Sequence, residues 1–189
     1  MKHLRTLAVL PLVTAAAQAY TLEFQLGQSN PGGSNADTGV GYNNTSLVGI
    51  TWATSISNDQ KVNIGINLNN RTLATNEGPG LAEPATKIGV FTTSLDLSYD
   101  LNPRGGISPF IGAGVGYAWL SNKNDLTVTT SNSALSLSGF AGVRFNISRS
   151  MDFTLTARNN HLIDVKNSDG TIKKNIESWE SIAGLRFKF

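Results

Sequence analysis

From Tyr20 to Phe189 the chain alternates apolar and polar side chains in long runs, and this period of two restricts its fold more than any other feature. In Tyr20–Gln28, Tyr20, Leu22, Phe24 and Leu26 share one face of an extended strand, and Thr21, Glu23, Gln25 and Gly27 share the other. Lys61–Asn70 repeats the pattern, with Val62, Ile64, Ile66 and Leu68 against Asn63, Gly65, Asn67 and Asn69. Similar runs cover Thr45–Ser57, Lys87–Tyr99, Ser108–Leu120, Ala134–Ile147, Met151–Asn160 and Glu177–Phe189, which predicts eight strands. Globular strands usually have about 5–6 residues. These runs reach the about 9–11 residues that a tilted membrane-crossing strand needs.

The connections alternate in length. Ser57–Gln60, Asn102–Gly106 and Ser148–Ser150 are short and rich in turn residues. Ser29–Asn44, Arg71–Thr86, Ser121–Ser133 and His161–Ile176 read as long polar loops, with a hairpin tip at Asn167–Gly170. An even number of strands puts both chain ends on the side of the short turns, so all four long loops fall on the opposite side. Membrane barrels of bacteria have this asymmetry, with short inner turns and long outer loops.

The segment before Tyr20 has another character. Lys2 and Arg5 precede an apolar run from Leu7 to Val13, and Ala17-Gln18-Ala19 supplies small residues for cleavage. This is the pattern of a secretory signal peptide, expected to end at Ala19. The apolar run is too short to span about 30 Å of hydrocarbon as a helix. Without Lys2 and Arg5, the 15 basic residues fall to 13 and match the 13 acidic ones. A neutral mature chain has no basic face for nucleic acid. There is no cysteine, so disulfides do not stabilise it. No later apolar stretch is long enough for a helical span. If residues 20–189 enter a bilayer, they must close into a barrel that pairs every backbone polar group internally.

Alternation alone does not say which face is enclosed, since a soluble eight-stranded barrel keeps its apolar side within. The polar face settles the expectation. It carries Glu23, Asp96, Arg144, Asp152, Arg158, Glu180, Arg186 and Lys188, charges of both signs that can pair across a narrow lumen. Glycine and serine crowd the same face and suit the small interior of eight strands. The aromatics favour the other face. Tyr20, Tyr99, Phe145, Phe153, Phe187 and Phe189 fall toward the short-turn ends, and Phe91, Tyr117, Trp119 and Trp179 toward the long-loop ends. Two such rings match the two membrane–water interfaces. The expected fold is therefore all-β, an eight-stranded antiparallel up-and-down transmembrane β-barrel.

The sequence resembles the eight-stranded outer-membrane barrel family that includes OmpA- and OmpX-like proteins. Pro109-Phe110-Ile111-Gly112-Ala113-Gly114-Val115-Gly116-Tyr117 looks like that family's glycine-rich fifth strand. Gly142-Val143-Arg144-Phe145 and Gly184-Leu185-Arg186-Phe187 look like its downward strands. The C-terminal Gly184, Phe187 and Phe189 resemble its assembly signal, although Ile182 stands where a polar residue is usual. The resemblance implies a place in the bacterial outer membrane, contact with outer-membrane lipid and lipopolysaccharide, and insertion by the barrel-assembly machinery.

Some barrels of this size modify lipid A, with a His-x-Ser pair near the membrane surface. Here the run is His161-Leu162-Ile163, and Ile163 has no hydroxyl to activate. Asp164 and Glu177 do not repair that loss. Gly112-x-Gly114-x-Gly116 lacks the spacing and the following helix of a dinucleotide site. Asn122, Asn124 and Asp125 do not form a twelve-residue calcium loop. The sequence thus predicts no catalytic residue, metal or cofactor. It predicts a non-enzymatic envelope protein whose outer loops meet an unknown external ligand. A narrow solute pore is the alternative, and a lipid A enzyme comes after it.

Overall fold

The computed structural model describes residues 20–32, 42–75, 87–122, 131–166 and 173–189. The expected signal peptide, the hairpin tip at Asn167–Gly170, and Asn124 and Asp125 lie outside them. The strands are β1 (Tyr20–Gly32), β2 (Tyr42–Asn43), β3 (Thr45–Ser55), β4 (Val62–Thr75), β5 (Lys87–Asp100), β6 (Ile107–Asn122), β7 (Ser131–Ser148), β8 (Met151–Lys166) and β9 (Lys173–Lys188). One residue, Asn44, separates β2 from β3, and both pair with β4. They count as a single stave, so the barrel has eight. All pairings are antiparallel. The sheet runs from β4 through β3, β1, β9, β8, β7 and β6 to β5, and pairing of β4 with β5 closes it. The last residue takes part in the closure, where the Phe189 amide donates to the Tyr20 carbonyl at 2.9 Å.

Among the described residues the eight staves pair all the way round, and such closure is the condition for a β-structure in hydrocarbon. The two faces then separate by the sequence's own alternation. Phe24, Leu26, Leu95, Leu97, Ile111, Val115, Leu155 and Leu185 are exposed, while Gln25, Asn67, Asp96, Thr154, Arg158 and Glu180 are buried. The barrel is thus apolar outside and polar inside.

Turns close one end. At the β3–β4 turn the Gln60 amide donates to the Ser57 carbonyl at 3.0 Å, and the Val62 amide donates to Ser57 Oγ at 2.9 Å. Gln60 has a φ of 61°, the left-handed conformation that ends the reversal.

At the other end the strands outrun the sequence reading. Ser29–Gly32, Arg71–Thr75, Ser131–Ser133, His161–Lys166 and Lys173–Ile176 belong to strands, not loops. Their polar composition reads as loop, yet backbone pairing needs no apolar side chain and continues into them. A bulge interrupts β8–β9 between Leu162 and Val165, where Asp164 has a φ of 61°. The connections outside the described residues shrink to 33–41, 76–86, 123–130 and 167–172.

Candidate functional site

The lumen is built in layers. Nearest the turns, Lys188 Nζ lies 2.7 Å from Asp152 Oδ1, and Arg144 pairs with Asp100. Asn63 Nδ2 donates to the second oxygen of Asp100 at 3.2 Å. Glu23 meets neutral donors instead, accepting from Gln25 Nε2 at 3.0 Å and Thr154 Oγ1 at 2.9 Å. Arg186 is aligned between Glu23 on β1 and Asp152 on β8. Among the described residues no carboxylate lies at ion-pair distance from it, and its Nε has no partner.

The middle layer pairs Arg158 with Asp96 at 2.5 Å, and Ser94 Oγ donates to the other Asp96 oxygen at 2.8 Å. Two phenylalanines also point inward. The Phe110 and Phe140 rings meet edge to face at 6.4 Å, with Arg144 over Phe110 at 4.2 Å and Arg158 over Phe140 at 4.7 Å. Cation–π contact and ion pairing therefore use the same two arginines. Glycines make the rings fit. Gly112 lies opposite Phe140 and Gly142 opposite Phe110 in the β6–β7 ladder. A methyl group on Gly142 would overlap the Phe110 ring and the Leu155 carbonyl. Gly142→Ala is expected to destabilise the barrel by about 1–3 kcal/mol, as overpacking does, measurable by urea unfolding in detergent.

Above this layer Arg71 pairs with Glu180, and both side chains are wholly buried. Asn67 Nδ2 donates to Gln25 Oε1 at 2.9 Å, and Asn69 Nδ2 donates to Asn67 Oδ1 at 2.9 Å. Ser136 Oγ donates to Asn160 Oδ1 at 3.0 Å. Then the inward face changes character. Leu73, Val90, Ala118, Leu120, Ala134, Leu162 and Ile176 form a buried apolar cluster at the loop end, contributed by six strands. The lumen is polar below and greasy on top.

The charged residues expected on the inner face all line the lumen or its turn-side mouth; Asp96 pairs with Arg158 and Asp152 with Lys188 within that set, whereas Glu180 and Arg144 take partners from outside it. Arg71 enters from a segment read as a loop, and Asp100 from the position just past the expected strand Lys87–Tyr99. Parity would have found Arg71, since it continues the inward series Asn63, Gly65, Asn67, Asn69. The apolar cluster was also missed, because Leu73, Leu162 and Ile176 fall in segments read as loops.

The outer face carries the aromatics expected at the membrane interfaces. Tyr20 stacks on Trp52 at 5.8 Å and Phe145 meets Phe153 at 6.3 Å toward the turns, and Phe24 meets Phe187 at 6.2 Å. Toward the loops Trp119 contacts Phe91 at 5.8 Å and Tyr117 at 6.5 Å. Tyr99 and Phe189 are exposed near the turns, and Trp179 toward the loops.

His161 also faces outward. It is a strand residue rather than the loop histidine expected, with Nε2 3.8 Å from Glu177 Oε1. That oxygen accepts from Asn159 Nδ2 at 2.7 Å. At that distance no hydrogen bond orients the imidazole, and Ile163 follows on the same strand without a nucleophilic atom.

Solved structures share this architecture. Neisserial surface protein A aligns with a TM-score of 0.67 at 19% identity, over 90% of this chain and 99% of that one. Ail, the attachment invasion locus protein of Yersinia pestis, solved with the heparin analogue sucrose octasulfate, gives 0.58 at 12%, over 92% and 100%. The outer membrane enzyme PagL gives 0.51 at 14%, over 87% and 97%. These likenesses establish the fold. No curated protein sequence matches. The family model described as the outer membrane protein beta-barrel domain matches residues 6–189, almost the full chain, and the chain belongs to that family of the bacterial outer membrane.

Proposed function

We propose that this protein is a non-conducting, non-enzymatic barrel that holds four outer connections at the cell surface, where they contact an external ligand. The apolar cluster across the loop end of the lumen carries this reading. Leu73, Val90 and Leu162 have no exposed surface, and the wholly buried Arg71–Glu180 pair lies beneath them. Ions would have to cross a dry layer and then displace paired charges, each costly. The segments 33–41, 76–86, 123–130 and 167–172 lie outside the described residues and belong to the stretches whose sequence reads as long polar loops, where interaction residues concentrate. A surface role is in keeping with Neisserial surface protein A, and the sucrose octasulfate bound to Ail offers a sulfated polysaccharide as a first ligand to try.

In this reading residues 1–19 direct export and are removed, and the turn end faces the periplasm. The two aromatic groups sit at the membrane interfaces, against lipid and lipopolysaccharide. Gly184, Phe187 and Phe189 serve recognition by the assembly machinery. In planar bilayers the protein is expected to stay silent, and Leu73→Asp with Leu162→Asp is expected to produce openings. Steady conductance from the unaltered protein would restore the pore. Deleting all four loop tips should abolish binding to cells or polysaccharide, and binding that survives the deletion would refute the surface role.

The His161–Glu177 pair supports a second, enzymatic reading, since it could serve a hydroxyl supplied from elsewhere. Mass spectra of lipid A with and without the protein decide it. An altered acylation pattern that His161→Ala abolishes would favour the enzyme.

A further inference from the structure

A cavity of about 80 Å³ opens at the turn end of the lumen, and its lining is cationic. Arg144, Arg186 and Lys188 line it with a single carboxylate, Asp152, and with the hydroxyls of Thr21 and Ser108. One water needs about 10–15 Å³ on this measure, so the space holds several waters or one polyatomic ion.

Lys188 and Asp152 pair with each other at its rim, but Arg186 has no such partner among the described residues. Arg186 is 8% exposed, yet its Nε has no acceptor. The carboxylates that could neutralise it are engaged elsewhere: Asp152 with Lys188, Asp100 with Arg144 and Asn63, and Glu23 with Gln25 and Thr154. Arg144 Nε and Ser108 Oγ are likewise buried without a partner. Arg186, Arg144 and Ser108 all line this cavity, and buried donors left unsatisfied are costly.

We propose that this mouth is a binding site for a small oxyanion of phosphate size. Guanidinium groups offer paired N–H donors that match the spacing of oxyanion oxygens, which a halide does not exploit. Lys188 adds a mobile charge at the rim, where its side chain is 25% exposed. The site lies on the periplasmic side in the orientation proposed above, and it is independent of whatever the outer connections bind.

The test uses the folded chain in detergent and inorganic phosphate, with calorimetry and phosphorus NMR line width as readouts. Sodium chloride holds the ionic strength constant. Saturable binding at one site is expected, weakened at least tenfold by Arg186→Gln and at least threefold by Lys188→Gln or Ser108→Ala. If Arg186→Gln does not fold, judged by gel mobility before and after boiling, the other two variants decide. Phosphate uptake that does not saturate, that chloride abolishes at equal ionic strength, or that Lys188→Gln and Ser108→Ala leave unchanged would overturn the site.

Discussion

Arg71→Met is expected to destabilise the barrel by about 3–5 kcal/mol, the usual cost of stranding one member of a buried ion pair. Arg71 and Glu180 have no exposed side-chain surface, so the remaining Glu180 carboxylate could not recover its hydration. Apolar packing can substitute for such a pair, because desolvation offsets most of its attraction. The double variant Arg71→Met/Glu180→Leu should therefore recover most of the loss. Urea unfolding in detergent micelles, followed by tryptophan fluorescence, measures both. A double variant as unstable as the single would mean that the pair is positioned by bonds beyond its own.

Leu95→Arg is expected to cost about 2–4 kcal/mol, the penalty for a charge on the lipid face of a membrane barrel near the midplane. Leu95 is 48% exposed and lies midway along β5, between Phe91 and Tyr99. The same change near the rim, Leu101→Arg at the turn after β5, should cost about 1 kcal/mol or less because the penalty falls toward the interface. Folding titrations in lipid vesicles compare the two. Equal costs at both positions would show that depth in a bilayer is not what Leu95 senses.

The order of the staves and the facing of most side chains were legible in the sequence, because a period of two fixes which residues share a face and the charges of both signs mark the face that is enclosed. Tyr20, Leu22, Phe24 and Leu26 needed no tertiary knowledge to be placed together. The lumen partners were not legible. Arg71 on β4 meets Glu180 on β9, and Arg158 on β8 meets Asp96 on β5, strands that are not neighbours in the sheet. Such contacts depend on stagger and tilt around the closed barrel, which alternation does not encode. Phe110 and Phe140 stood on a face read as small and ionic. Their fit opposite Gly142 and Gly112 emerges only once the β6–β7 register is known. The apolar cluster was hidden for a related reason. It reverses the polarity of the inward face within the last turns of the ladder, and a reversal near a strand end reads like the start of a loop.

The central claim is that the apolar row of each strand meets lipid and the charged row is enclosed. The chain has no cysteine, so single cysteines can be introduced along β5 and spin-labelled without background. The measurement is collision of the label with oxygen, which partitions into lipid, and with a water-soluble nickel chelate, at positions 91 through 99 in lipid vesicles. The account predicts high oxygen access at Leu95 and Leu97, with low access to both reagents at Ser94 and Asp96. An inverted alternation, or nickel access equal at every position, would contradict it.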